Sequence, residues 1–205
     1  MEVVFLDEDL RVPLDGSGLD VRLTMPTRNS GVVVFAHDGE PERRVAEALQ
    51  REHVGTVLVD LGGVDQGSGG SGSDVPVLAG RLAAVVDWLA DQPATGGNPV
   101  GLFGADGGAA VALVVAAERP AAVRAVVSVG GHPDRAEDAL TRVLAPALLV
   151  LEEGDEHPAA HQRVEVVPGA GRLAGEPDAL DRVIRLASRW FHHHVGTAPV
   201  APPTS

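Results

Sequence analysis

The stretch Leu102–Gly108, LFGADGG, follows the apolar residues PVG and precedes GAAVALVVAAE, whose composition is typical of a helix. A Gly-x-X-x-Gly pattern that joins a buried strand to a helix is typical of a nucleophile elbow, a strained turn that exposes the side chain of its central residue. That residue is usually serine, and here it is Asp106. The chemistry of this turn therefore depends on a carboxylate instead of a hydroxyl.

Working outward from this turn, short apolar runs alternate with helical patterns along most of the chain. Runs of this kind suit strands that are covered on both faces, and the alternation predicts a mostly parallel, doubly wound α/β sheet in a three-layer sandwich. Residues Leu10–Met25 instead predict an antiparallel hairpin at one edge of that sheet. The predicted strands are Val32–Phe35, Thr56–Val59, Val100–Phe103, Val123–Val129, Ala147–Leu151 and Val164–Val167, and the predicted helices are Pro41–His53, Val77–Asp91 and Pro177–Phe191.

The length and composition favour one globular domain. The chain has 205 residues, a formal net charge of -13 and no cysteine. We expect a single domain over 1–195, with a mobile Gly/Ser loop at 62–74 and a disordered tail at 196–205. The acidity argues against nucleic acid or an anionic membrane as a partner, and the N-terminus predicts no signal peptide. A cytoplasmic location is expected, and a homo-oligomer or a protein partner stays open.

Five blocks in order resemble the α/β-hydrolases of the dienelactone-hydrolase type, in particular their small lidless members. The resemblance covers about residues 10–195 and implies the α/β-hydrolase fold. Some such members occur fused to phosphoribosyltransferase domains. The blocks are VVVFAHDGE at 32–40, VGLFGADGGAA at 100–110, AVVSVGGHPD at 125–134, PALLVLEEGDEHP at 146–158 and VEVVPGAGRLAGEP at 164–177.

The resemblance also implies where a catalytic triad would lie. The nucleophile position is Asp106, and the acid position, after the strand ALLVL, is Asp155. The position of the catalytic histidine is Arg172. The oxyanion loop corresponds to residues 36–39, which include Asp38 and Gly39, and Gly107 follows the elbow. The triad is therefore degenerate, because two of its three working groups are changed.

Arg172 stays cationic and cannot act as the base that serine acyl transfer needs. If both side chains point into the site, Asp106 and Arg172 would form a charge-assisted pair. A nucleophilic Asp106, as in haloalkane dehalogenases and epoxide hydrolases, is less favoured. Its ester would need a His-activated water, and those enzymes use Trp or Tyr side chains, usually from a cap domain. This chain has no Tyr, its two Trp residues, Trp88 and Trp190, lie within helical patterns, and too few residues follow Ser128 for a cap.

Other readings of the polar residues stay open. Asp106, near Asp38 and Asp155, could act as a general acid or base. His37 could assist this proton transfer or be a structural residue. His132 and His157 follow strands and could replace the missing base or lie in solvated loops. Asp106 could also simply cap the helix that follows it. No metal or other cofactor is expected.

We expect a non-hydrolytic protein, a pseudoenzyme of this fold. It would bind a small molecule at the carboxyl ends of the strands, or a protein partner. The alternative is an atypical enzyme, a lyase, isomerase or cyclase, in which Asp106 transfers a proton.

Overall fold

The computed structural model describes residues 5–14, 17–62, 75–131, 136–155 and 162–196. The expected mobile loop beyond Gly62 and the tail beyond Gly196 lie outside these residues. The strands are β1 (Phe5–Leu14), β2 (Ser17–Pro26), β3 (Val32–Phe35), β4 (Gly55–Val59), β5 (Val100–Ala105), β6 (Val123–Val129), β7 (Ala147–Leu151) and β8 (Arg163–Val166). The α-helices are α1 (Glu40–Arg51), α2 (Val75–Ala90), α3 (Gly107–Glu118), α4 (Glu137–Leu140) and α5 (Pro177–His194), and Ala170–Gly175 form a 3-10 helix.

The described strands form one eight-stranded sheet in the order β1-β2-β4-β3-β5-β6-β7-β8. The strands from β3 to β8 are parallel, whereas β2 pairs antiparallel with both β1 and β4. The runs of buried Val, Leu and Ala favour parallel strands because helices cover both faces of such a sheet. The predicted α/β sandwich with an N-terminal antiparallel hairpin at one edge is therefore confirmed.

The hairpin β1–β2 separates its two faces by strict alternation. The inward side chains of Val12 in β1 and of Leu19, Val21, Leu23 and Met25 in β2 are buried, while directly opposed polar residues pair across the outer face. Such cross-strand pairs stabilise a sheet modestly, and charges on an edge strand discourage pairing with another chain. The outer pairs are Arg22–Asp9 at 2.9 Å, Thr24–Asp7 at 3.0 Å and Arg11–Asp20 at 3.3 Å.

Helices cover the sheet on both faces. α1 and α5 pack against each other on one face, and α2 and α3 on the other. On the α1/α5 side, the rings of Phe35 and Phe103 lie side by side on neighbouring strands, with 5.0 Å between their centroids. The two prolines predicted near helix starts, Pro41 and Pro177, lie in the first turns of α1 and α5, where a missing N–H costs no hydrogen bond.

The tight connection from β5 into α3 depends on Gly104. A Cβ atom there would lie 2.6 Å from the carbonyl carbon of Gly108, closer still to its oxygen, and 3.0 Å from Cα of Ala109. These are backbone atoms, which cannot rotate away as a side chain can. Strand β5 can therefore run directly beneath the start of α3 only because residue 104 has no side chain.

We expect Gly104→Ala to lower the free energy of unfolding by about 1–3 kcal/mol, because the added methyl overpacks against a fixed backbone. Gly80→Ala is the matched control. Gly80 lies on the exposed side of α2 with no neighbouring atom within 4 Å of an added Cβ. That change should raise the free energy by about 0.5–1 kcal/mol through helix propensity. Urea unfolding of both variants measures the difference, and a neutral Gly104→Ala would contradict the packing argument.

Candidate active site

The carboxyl ends of the central strands meet at the elbow. The amide of Asp106, directly after β5, donates to the carbonyl of Val129 at the end of β6, with an N–O distance of 3.0 Å. The amide of Gly130 donates in turn to the carbonyl of Val150 in β7 at 2.8 Å. These bonds hold three loops at one edge of the sheet, where ligands bind in open α/β folds.

Asp106 occupies a strained backbone conformation. Its φ is 48° and its ψ is -118°, a combination that residues with a side chain rarely adopt. It is the N-cap residue of α3, yet its side chain makes no capping hydrogen bond. The alternative that Asp106 serves simply as a helix cap is therefore wrong. The turn instead presents a half-buried carboxyl that no cap bond holds.

Two effects act on the ionisation of Asp106. Burial raises the pKa of its carboxyl, because a partly dry environment disfavours the charged form. The positive charge of His37 acts in the opposite direction and lowers that pKa, but burial is the larger effect. His37 follows β3 and is half-buried. The structure thus brings together the two residues for which the sequence suggested a proton-transfer role.

The rest of the presumed oxyanion loop is engaged with α1. Asp38 accepts two hydrogen bonds from Arg43, from Nε at 2.7 Å and from Nη2 at 3.1 Å. Gly39 is the buried N-cap residue of α1, and its carbonyl accepts the amide of Arg43. The Asp38 carboxylate therefore forms a bidentate ion pair with the guanidinium of Arg43, which the sequence analysis did not anticipate.

The acid position lies in its own turn. Asp155 is exposed, and its Oδ2 accepts the amide of Glu152 at 2.9 Å. Glu152 itself reaches toward the next loop, since a Cβ atom at Gly171 would lie 2.8 Å from its Oε2. The carboxylate beside the loop that carries Arg172 is thus Glu152, which the sequence analysis passed over because the resemblance pointed to Asp155.

Arg172 lies in the 3-10 helix, at a kink with φ -148° and ψ 50°. This helix comes close to the elbow through Gly130 and Gly131, both of which have positive φ. A Cβ at Gly130 would lie 2.9 Å from the carbonyl oxygen of Ala170, and one at Gly131 would lie 2.6 Å from that of Asp106. Nevertheless, the ion pair envisaged between Asp106 and Arg172 is absent among the residues that the structure describes.

Glu42, in the first turn of α1, is a site residue that the sequence analysis missed. Only 4% of it is exposed, and its Oε2 has no hydrogen-bond partner in the described part of the chain. Burial raises the pKa of this carboxyl, and the negative charges of Asp106 and Asp38 raise it further. The Glu42 amide and the charge of His37 oppose this rise. A glutamate in a first turn usually faces solvent, so the sequence held no signal of its burial.

The remaining predicted site residues are Gly107, His132 and His157. Gly107 is the first residue of α3, while His132 and His157 lie outside the described residues. Across residues 5–14, 17–62, 75–131, 136–155 and 162–196, no three His, Asp or Glu side chains are grouped as a metal would require. In the same ranges, no helix is long and apolar enough to cross a membrane.

The geometry agrees with the family that the chain matches. A family model described as the alpha/beta hydrolase fold matches residues 34–182, which include the end of β3, the elbow and the 3-10 helix. The chain belongs to the α/β-hydrolase family. Among solved structures, the dienelactone hydrolase from Anabaena variabilis is 37% identical, with a TM-score of 0.82, over 93% of this chain and 99% of that one. This α/β-hydrolase is thus dienelactone-hydrolase-like.

More distant structures share the fold alone. An esterase from Pyrococcus furiosus is 13% identical, with a TM-score of 0.70, over 94% of this chain and 92% of that one.

A Mycobacterium tuberculosis protein named "Putative phosphoribosyl transferase" is 40% identical over 207 residues, which cover 92% of this chain and 47% of the relative. The α/β-hydrolase chain therefore spans about half the length of that relative.

The strain at the elbow can be measured by removing the Cβ atom of residue 106. Glycine adopts positive φ freely, so we expect Asp106→Gly to be more stable than Asp106→Ala by about 1 kcal/mol in urea unfolding. At an ordinary helical position such as Gly80, glycine should instead be less stable than alanine by about 0.5–1 kcal/mol. If the free energy of unfolding of Asp106→Ala equalled or exceeded that of Asp106→Gly, the backbone of residue 106 would not be strained.

Proposed function

We propose that this α/β-hydrolase is non-hydrolytic and binds a small molecule at the elbow, where Asp106 contacts the ligand. The observation that carries the proposal is the state of Asp106. It lies at the elbow in the strained conformation, half-buried, without a capping bond and without an ion pair to Arg172 in the described residues. A preorganised polar group of this kind suits a binding site, because it needs no rearrangement to meet a ligand.

The residues at the triad positions support the non-hydrolytic part of the proposal. An arginine at position 172 cannot accept the proton of a nucleophile or activate a water. The carboxylate of Asp155 accepts an amide of its own turn and is exposed to solvent. Neither group can complete the proton relay that ester hydrolysis through a serine or aspartate nucleophile requires.

Ester hydrolysis tests this proposal directly. We expect p-nitrophenyl acetate and butyrate to hydrolyse no faster with the wild-type protein than in buffer alone. The double change Asp106→Ser/Arg172→His should introduce turnover, because the elbow already holds residue 106 in the required conformation. Asp106→Ala is the control for background. Wild-type turnover that disappears in Asp106→Ala would overturn the proposal and make Asp106 a nucleophile or a base.

One observation favours a second function, proton transfer by Asp106 in a lyase, isomerase or cyclase. Burial raises the pKa of Asp106, and the charge of neighbouring His37 opposes the rise, so two titratable groups with different environments act on one site. A carboxyl whose pKa lies nearer to neutrality transfers protons more effectively at neutral pH.

Exchange of carbon-bound protons tests this second function. In deuterated buffer, wild-type protein would speed deuterium exchange next to the carbonyl of small ketones and keto acids, as followed by proton NMR. Asp106→Asn should remove the effect, and Asp178→Asn, a change at a first-turn residue of α5, should not. Equal exchange with and without the wild-type protein would contradict the proton-transfer function, and only the binding function would then stand.

A further inference from the structure

Glu42 is a buried carboxyl outside the predicted triad. Its side chain is almost completely buried at the N-terminal turn of α1, and one carboxyl oxygen has no partner in the described part of the chain. The charges that reach it belong to His37, Asp106 and Asp38, all at the elbow edge of the sheet. Asp38 forms an ion pair with Arg43, with 2.7 Å between Nε and Oδ1. Glu42 and Asp106 are therefore two neighbouring carboxyls in a partly dry site.

Burial is the largest effect that favours the protonated form of Glu42, and the charge of Asp106 adds to it, while the charge of His37 opposes it. Two like charges in such a site repel each other, which favours one shared proton. The surroundings decide which carboxyl holds it. Glu42 is the more deeply buried, which favours its neutral form. Asp106 is partly accessible and lies at the N-terminus of the twelve-residue helix α3, whose dipole favours an anion.

We propose that Glu42 is a positioning residue of the elbow site, one that holds a proton in the resting protein so that Asp106 alone carries the negative charge. The pair then bears one proton and one charge. Because the proton stays on the buried carboxyl, Asp106 remains the acceptor that faces a ligand. This inference rests on the proposed function of Asp106 as the ligand-contacting group, and Glu42 itself contacts no ligand.

The protonation state can be observed without any ligand. In protein labelled with carbon-13 at the glutamate carboxyls, the resonance that vanishes in Glu42→Gln identifies Glu42. We expect that resonance to keep the chemical shift of a protonated carboxyl at pH 7. A Glu42 resonance at the chemical shift of an ionised carboxyl at pH 7 would overturn the inference.

The pH dependence of stability gives an independent check. A raised folded-state pKa means that the native protein binds more protons than the unfolded chain. The stability from Glu42 is then fully present below the ordinary glutamate pKa of about 4.3 and is lost as the pH rises through the folded value. Glutamine cannot ionise. The melting temperature of Glu42→Gln should match that of the wild type near pH 4 and exceed it by an amount that grows as the pH rises from there to the folded pKa.

Glu47→Gln is the matched control, because it makes the same chemical change on the solvent side of α1. A gain in melting temperature that grows with pH should therefore be specific to Glu42→Gln. A difference that stays constant with pH for Glu42→Gln would show that Glu42 only fills space and would overturn the inference. Ester hydrolysis by the wild type would defeat the proposed function alone, since the proton on Glu42 is read without substrate.

Discussion

The close approach of β5 to the first turn of α3 is the constraint on which the site depends. Gly104 allows the strand to pass beneath the backbone of Gly108, and the chain then has no room for an ordinary turn. Residue 106 is consequently forced to a positive φ, with its side chain at the edge of the sheet. The bonds from Asp106 to β6 and from Gly130 to β7 transmit this placement to the neighbouring loops. The position of the carboxyl is thus a product of backbone packing and not of its own contacts.

The same packing explains why the fold could be read from the sequence. Buried strands such as Val123–Val129 and Ala147–Leu151 have the predicted bounds, because short runs dominated by Val, Leu and Ala leave few alternatives to a covered parallel sheet. The short helix α4 and the 3-10 helix at Ala170–Gly175 were not predicted. They contain four and six residues, too few to show an apolar period, and their form depends on tertiary neighbours.

The site was less readable, because its chemistry depends on which side chains become buried and paired. The position of Asp106 and its closeness to His37 followed from the elbow pattern and from the family resemblance. Three features could not be foreseen from the sequence. Arg43 pairs with Asp38, Glu152 reaches the loop beside Arg172, and Glu42 is buried. Each result depends on a rotamer or a helix orientation, and a linear pattern of charged residues records neither.

The paired outer face of the hairpin β1–β2 has a consequence for the molecule as a whole. The hydrogen bond and charge of Arg22 lower the pKa of Asp9, so the stability that this pair contributes is present above the ordinary aspartate pKa and is lost as the pH falls through the folded value. Burial acts in the opposite sense on Glu42. A fall in pH therefore removes the small contribution of an exposed pair on the hairpin, and a rise in pH disfavours the buried carboxyl of Glu42, so opposite changes of pH act at separate places in the fold.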